Sequence, residues 1–366
     1  MSSGGPASVA GGAAGASRAP RRIYVTDCEG PLTRNDNAQE IAARFLPDGA
    51  ELFARLSKYD DFLADVVRKP GYNAGDTLRL LPPFLKAFAL TDEDVEAFSA
   101  DGVLTVPGAL QMLTETAALL PTFIISTSYT PYLKALCELS GFPAANVRCT
   151  ELSLDAWLMP EDEKAWLRDE AAHVMERSLI EIPQGATSVD DLSPADAVTV
   201  AQLDDLFWVQ MDGRVSGELV AAIRPVGGGM KLAALEGIVA AEGVEGAGVM
   251  YVGDSITDAP PLAAVKAWGG ASLSFNGNGY ALAAAEFAAA SSDAGVAAEL
   301  AKAFAAGGRD GVEAAVRAWP KPKRGELATG RARARVGLVA EEPDALAEAS
   351  AAARRGVRGE RIARLG

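Results

Sequence analysis

Short apolar runs alternate with longer stretches of helical periodicity along much of the chain. The runs are rich in β-branched or aromatic residues and end at polar or glycine-containing turns, as buried strands do. Between them, apolar residues recur every three or four positions, which is typical of amphipathic helices. Such alternation predicts an α/β fold with a doubly wound, mainly parallel sheet. The five predicted strands are 23–26, 122–125, 146–149, 248–252 and 271–275.

Two long helical stretches interrupt this alternation. Residues 37–104 show helical spacing broken only by Pro-Gly and Pro-Pro pairs, and residues 153–215 contain two further helical patterns. We interpret the first as a helical cap and the second as another mainly helical insertion. The core is then assembled from segments 23–36, 105–152 and 216–318.

The two ends of the chain differ from the rest in composition. Residues 1–22 are rich in Gly, Ala and Ser and predict a disordered leader, because such a segment has little apolar surface to bury. Residues 319–366 are rich in Pro, Lys, Arg and Ala, and predict a basic, partly disordered tail with at most a marginal helix.

Charge and hydropathy limit the partners that we expect. The net charge is −15, although residues 321–366 carry eleven Lys/Arg against six Asp/Glu, so the remainder is strongly acidic. An acidic body repels nucleic acid, and no apolar stretch approaches the roughly 20 residues of a membrane span. We therefore expect no nucleic-acid or membrane partner.

Three scattered cysteines and the lack of a secretory leader predict a cytoplasmic protein. The oligomeric state stays open.

A single histidine and three cysteines restrict the chemistry available to the protein. Zinc sites built on two or three imidazoles are excluded, and a Ser/His/Asp triad is disfavoured. The chemistry must then depend on carboxylates, lysine and hydroxyl groups.

Polar clusters follow three of the predicted strands. They are Asp27-Cys28-Glu29, Ser126-Thr127-Ser128 and the segment from Asp254 to Asp258, while Lys231 begins a predicted helix. Ligand sites in doubly wound sheets lie beyond the carboxyl ends of the strands. The sequence therefore predicts that these clusters meet in one site.

In this order the clusters resemble the four motifs of the haloacid dehalogenase superfamily, most of whose members are Mg²⁺-dependent phosphatases. The resemblance covers roughly residues 23–290, and Lys231 is the only lysine between 165 and 265. The chain looks most like the phosphoserine phosphatase branch, and Asp27-Cys28-Glu29-Gly30-Pro31 is similar to predicted hydrolases of the superfamily with a DxEGP first motif. The resemblance implies a Rossmannoid core with cap insertions.

The resemblance also implies a role for each residue. Asp27 would attack phosphorus and form an aspartyl phosphate, which splits one difficult displacement into two easier ones. Mg²⁺ would be held by Asp27, Asp254 and the backbone carbonyl of Glu29, with Asp258 ordering the coordination.

Other groups would bind the phosphate and move the proton. Lys231, Ser126 and Thr127 would contact the transferring phosphoryl oxygens, where negative charge is distributed in the transition state. Glu29, two residues after the nucleophile, is the candidate general acid and base.

Glu29 departs from the family pattern, in which aspartate is commoner. The longer side chain retains a carboxyl group but reaches further, and a displacement of about 1 Å can cost ~10²-fold in rate. The expected function is hydrolysis of a small phosphorylated metabolite. Two alternatives stay open: a catalytically silent binding or regulatory protein, and phosphoryl transfer to an acceptor other than water.

Overall fold

The computed structural model describes residues 21–320 and 333–363, and its centre is a single β-sheet. The strands are β1 (Ile23–Thr26), β2 (Thr122–Tyr129), β3 (Val147–Thr150), β4 (Val249–Gly253), β5 (Ala271–Phe275), β6 (Phe287–Ala290) and β7 (Arg335–Leu338). Their order across the sheet is β3-β2-β1-β4-β5-β6-β7. Neighbouring strands are parallel except for β6 and β7, which are antiparallel.

Helices cover both faces of the sheet. They are α6 (Ala109–Leu119), α7 (Thr130–Ser140), α11 (Gly228–Glu242), α12 (Ala259–Ala267), α13 (Gly279–Ala284) and α14 (Gly295–Arg317). Successive side chains of a strand point to opposite faces. Accordingly, Tyr24 packs in the apolar cluster on one face, whereas Ile23 and Val25 pack in the cluster on the other. The predicted α/β class with a doubly wound, mainly parallel sheet is confirmed.

A helical cap lies beside this core. Residues from the first predicted insertion form α1 (Asn37–Phe45), α2 (Gly49–Asp61), α3 (Thr77–Leu80), α4 (Pro82–Ala87) and α5 (Asp92–Gly102). Residues from the second predicted insertion and beyond form α8 (Glu161–Met175), α9 (Pro194–Asp205) and α10 (Val215–Ala222). Two π-helical turns, Phe62–Val66 and Leu206–Gln210, extend α2 and α9.

The two insertions share one apolar core. Phe207 of the second insertion stacks against Tyr59 of the first at 6.1 Å between ring centroids, and meets Phe84 edge-on at 6.2 Å. Aromatic pairs at such distances stabilise a core beyond their buried area. The two stretches that the sequence analysis separates thus form one helical body.

The C-terminal segment contributes more order than its composition predicts. β7 pairs with β6, and the helix α15 (Pro343–Ala363) packs through the fully buried Leu346 against Leu282 and Ala288. The sequence analysis predicted neither β7 nor an anchored helix. Residues 1–20 of the predicted leader and residues 321–332 and 364–366 of the predicted tail lie outside the described residues.

The sheet register places the polar clusters at one edge. Thr26, the last residue of β1, is opposite Val252 of β4 and Ile124 of β2. The amide of Asp27 donates to the carbonyl of Val252 at 2.8 Å, which extends the β1–β4 pairing by one bond. The residues after β1 and β4 and the C-terminal half of β2 therefore converge beneath the cap. None of the described helices is long and apolar enough to cross a membrane.

Candidate active site

Asp27 ends β1 and lies almost completely buried at the centre of the site. One carboxylate oxygen, Oδ1, accepts a hydrogen bond from the backbone N–H of Cys28 at 2.7 Å, and Oδ2 lies 2.8 Å from Lys231 Nζ. Burial, together with the negative charge of Asp258, raises the pKa of Asp27 well above its usual range. A further cation beside Asp27 would favour its ionised, nucleophilic form.

Lys231 lies in the first turn of α11 and is fully buried. Its Nζ contacts two carboxylates, Asp27 Oδ2 at 2.8 Å and Asp258 Oδ1 at 2.7 Å. Burial alone would lower the pKa of Lys231, but Asp258 and Asp27 raise it above its usual value. Lys231 is therefore a fixed positive charge shared between the two carboxylates.

Asp258 ends the 3₁₀ turn Ile256–Asp258 after β4, and both its oxygens are fully engaged. Oδ1 accepts from Lys231 and from the Tyr251 hydroxyl at 2.8 Å, while Oδ2 accepts from the N–H groups of Asp254 and Ser255 and from the Ser255 hydroxyl, each at 3.1 Å. Burial opposes its ionisation, but Lys231 and these hydrogen bonds lower the pKa of Asp258 below its usual value. Asp258 thus holds both Lys231 and the loop that carries Asp254.

Asp254 has one engaged and one unengaged carboxylate oxygen. Oδ2 accepts from Arg354 and, at 3.1 Å, from Arg358, whereas the buried Oδ1 has no hydrogen-bond partner among the described residues. The Gly30 loop packs directly on this carboxyl group. Gly30 has φ +107°, and a Cβ there would lie 2.3 Å from Asp254 Cγ, so the close approach requires glycine.

The residues present fit a magnesium ion. Oxygen atoms of Asp27, Asp254 and Asp258 lie within 4.8 Å of one another, and the free Asp254 Oδ1 is a buried acceptor that lacks a donor. Hard carboxylate oxygens are the ligands that Mg²⁺ prefers. Asp27 and Asp254 can offer oxygens directly, whereas the oxygens of Asp258 already accept five hydrogen bonds. The side chain of Glu29 lies outside this carboxylate cluster.

Glu29 is half-buried and faces the cavity between core and cap. Its Oε1 accepts from the N–H of Asn37 at 3.2 Å, at the start of the first cap helix. Burial and the nearby Asp36 raise the pKa of Glu29 to about 7, although Arg358 opposes the shift. A carboxyl group with a pKa near 7 can both give and take a proton at neutral pH.

The hydroxyl groups that the sequence analysis places after the second strand lie within the C-terminal half of β2. Ser126 is fully buried, accepts from the N–H of Ser128 at 3.1 Å, and is not among the residues that line the cavity. Thr127 and Ser128 do line it. The buried Ser128 Oγ has no hydrogen-bond partner of normal geometry among the described residues, but it lies close enough to Glu29 to oppose the rise in the pKa of that group. Because the β2–β3 register is irregular between Ile125 and Tyr129, strand alternation could not have identified Ser128 as a cavity residue.

The cavity wall also contains residues that the sequence analysis missed. The cap contributes Asp36, Asp60 and Asp61, and α15 contributes Arg354 and Arg358. The sequence indicates only that Arg354 and Arg358 would share one face of a helix, because they are four residues apart. Nothing in the sequence indicates that this helix packs beside the site.

Two glycines, one in the core and one in the cap, allow the cap loop to approach the core closely. Gly227 lies at the start of α11, and a Cβ there would approach the carbonyl oxygen of Ala74 to 2.2 Å. The neighbouring Gly75, with φ +95°, lies over Thr127 in the same way. The cap loop can therefore pack directly on the site.

Comparison with known proteins supports the architecture. No protein-family model matches the chain, and no curated protein sequence matches it. Among solved structures, the chain is similar to gene product AF1437 from Archaeoglobus fulgidus, with 27% identity and a TM-score of 0.80 over 94% of this chain and 99% of that one.

Phosphoserine phosphatase structures are similar at a lower level. The apo form shows 13% identity and a TM-score of 0.42, over 72% of this chain and 91% of that one. A phospho-aspartyl intermediate analogue shows 14% identity and the same TM-score, over 73% and 91%. The similarity to the archaeal gene product, with its TM-score of 0.80, is the one that supports the overall α/β architecture.

Proposed function

We propose that the protein is a Mg²⁺-dependent phosphatase of the haloacid dehalogenase type that hydrolyses a small phosphorylated metabolite. The observation that carries the proposal is the buried cluster at the sheet edge, where Lys231 Nζ lies 2.8 Å from Asp27 Oδ2 and the Asp254 carboxylate lies alongside. The cluster lies at the base of a cavity covered by the cap. This combination suits attack by a carboxylate on an anionic substrate.

In the first step the Asp27 carboxylate attacks phosphorus. A bond forms between a carboxylate oxygen and phosphorus while the bond from phosphorus to the ester oxygen breaks, and the electron pair leaves with that oxygen. Glu29 in its acid form gives the departing oxygen a proton. The products are an alcohol and an aspartyl phosphate.

In the second step water attacks the same phosphorus. Glu29, now a carboxylate, takes a proton from water, and the bond between phosphorus and the Asp27 oxygen breaks to release inorganic phosphate. The regenerated Asp27 carboxylate and protonated Glu29 are ready for another cycle.

Positive charge is needed because a carboxylate and a phosphate dianion repel each other. Lys231 provides one fixed charge beside Asp27. Asp27 and Asp254 would hold Mg²⁺, which supplies the further positive charge that stabilises the phosphoryl oxygens. Ser128 and Thr127, which also line the cavity, would donate hydrogen bonds to those oxygens.

The test is a phosphatase assay over a panel of phosphorylated metabolites, with Mg²⁺ and with a chelator. We expect Mg²⁺-dependent release of phosphate from at least one compound, and none from the Asp27→Asn variant. Equal turnover by wild type and Asp27→Asn would contradict the proposal.

The same assay separates the alternatives. A silent binding protein would release no phosphate from any compound, whatever the metal concentration. A phosphotransferase would release the alcohol without an equal amount of inorganic phosphate, and would require an added acceptor. Following both products therefore distinguishes the three functions.

A further inference from the structure

Acidic residues outnumber basic residues along the cavity wall. Six carboxyl groups line it, namely those of Asp27, Glu29, Asp36, Asp60, Asp61 and Asp254. Lys231 lies behind Asp27 and does not reach the cavity surface. Among the described residues, only Arg354 and Arg358 bring positive charge to the wall.

Both arginines come from one face of the C-terminal helix and are held in place. Their side chains are only 5% and 8% exposed. Arg354 donates to the Asp254 carboxylate and to the Asp254 carbonyl at 3.1 Å, while Arg358 donates to Asp254 Oδ2 at 3.1 Å and to the Arg34 carbonyl at 3.3 Å. Two guanidinium groups thus converge on a single carboxylate oxygen.

Both guanidinium groups bind the same carboxylate oxygen, and each guanidinium group carries five N–H donors. Burial opposes the charge of Arg358, but Asp254, Glu29 and Asp36 together raise its pKa, so the group stays positive at the cavity wall. The fork of donors matches the oxygens of a phosphate group, which arginine binds through paired hydrogen bonds. Apart from these two arginines, the charged side chains that line the cavity in the described part of the chain are all acidic.

We infer that Arg354 and Arg358 bind the phosphoryl group of the substrate, so that the C-terminal helix forms part of the active site. The inference rests on the proposed function for its ligand. The alternative is an inhibitory contact, in which the arginines occupy Asp254 and keep ligands out. The two possibilities predict opposite changes in phosphate affinity. Loss of an arginine weakens phosphate binding in the first case and strengthens it in the second.

The experiment measures binding of inorganic phosphate to the full-length protein by calorimetry in the presence of Mg²⁺. Variants Arg354→Gln and Arg358→Gln remove one charge each, and Arg358→Lys retains it. Arg355→Gln is the matched control, since Arg355 is exposed on the same helix. Melting temperatures establish that each variant is folded.

We expect each glutamine variant to bind phosphate at least about tenfold more weakly, because it loses a charge-assisted hydrogen bond to the phosphate. Arg358→Lys should recover part of the affinity, and Arg355→Gln should match wild type. Unchanged or tighter binding in folded Arg358→Gln would overturn the inference, as would a wild type that binds no phosphate. If wild type binds phosphate through these arginines yet hydrolyses no ester, the proposed function fails while this inference stands.

Discussion

Two buried charge clusters are linked by the hydrogen bond from the Asp254 N–H to Asp258. They differ in the ratio of positive to negative groups and in how far they are enclosed. In the lysine cluster (Lys231, Asp27 and Asp258), one ammonium group bridges two carboxylates and lies wholly inside the core. In the arginine cluster (Arg354, Arg358 and Asp254), two guanidinium groups share one carboxylate at the cavity wall. Lys231 is enclosed on all sides, whereas Arg354 and Arg358 lie at the cavity wall.

The two clusters should respond differently when one charged partner is removed. Removal of one partner from a fully enclosed pair leaves a buried charge that water cannot reach. A group at a cavity wall can exchange its partner for a ligand or for water. We therefore expect stability to depend on the lysine cluster and ligand affinity to depend on the arginine cluster.

The largest effect should follow Lys231→Met. The substitution leaves Asp27 and Asp258 facing each other without a shared cation, which should lower the free energy of unfolding by about 3–5 kcal/mol and abolish turnover. Urea unfolding measures the first effect. Lys134→Met is the control, because Lys134 is an exposed lysine 3.4 Å from Glu96, and it should change the value by less than about 1 kcal/mol. If Lys231→Met lowered the free energy of unfolding by less than about 1 kcal/mol, the lysine cluster would not be the one on which stability depends.

Glu29→Gln should have the next largest effect, on activity alone. Loss of the acid should slow hydrolysis of alkyl phosphates by roughly 10²–10⁴-fold. p-Nitrophenyl phosphate should be affected less, because its leaving group departs readily as an anion. Comparison of kcat/KM for the two substrates isolates the proton transfer to the leaving group, because hydrolysis of the aspartyl phosphate is common to both. Equal losses of kcat/KM on both would argue against that proton transfer.

Glu29→Asp sharpens that result. If the pocket is built around the longer acid, the aspartate variant of an active wild type should be slower. Should the wild type be silent because its acid is too long, the aspartate variant should gain activity. A variant equal to an active wild type on alkyl phosphates would leave Glu29 without a proton-transfer role.

A smaller effect concerns stabilisation by Mg²⁺. An ion that binds only the folded state stabilises it by about 2.7 kcal/mol at a concentration about a hundred times its dissociation constant. Asp254→Asn should remove most of the resulting rise in melting temperature. Asp61→Asn should retain it, because Asp61 lines the same cavity but lies outside the carboxylate cluster. An undiminished rise in Asp254→Asn would place the ion elsewhere.

The sequence predicted the sheet and the lysine cluster better than the cap and the arginine cluster. Parallel strands bring their carboxyl ends to one edge, so polar residues after 23–26 and 248–252 had to meet there. Lys231 was the single lysine available. Strand β6 consists of Phe-Ala-Ala-Ala, and alanine has little β propensity, so no local pattern indicated it.

The remaining features depend on long-range contacts. Packing of Phe207 against Tyr59 joins two insertions far apart in the chain, and neither periodic pattern contains that information. Arg354 reaches Asp254 across a hundred residues of sequence. The basic, alanine-rich composition of this segment is typical of a solvated tail. Only the packing of α15 against the sheet brings its arginines to the site.

The central claim is that Asp27 becomes phosphorylated, and trapping of that intermediate tests it most directly. The protein is mixed with Mg²⁺ and a hydrolysable phosphate ester, treated with borohydride, and digested for mass spectrometry. Reduction of an aspartyl phosphate yields homoserine, so the account predicts homoserine at position 27, dependent on substrate and enriched in Glu29→Gln, whose second step is slowed. Substrate turnover with unmodified Asp27, or with the modification at another carboxylate, would contradict it.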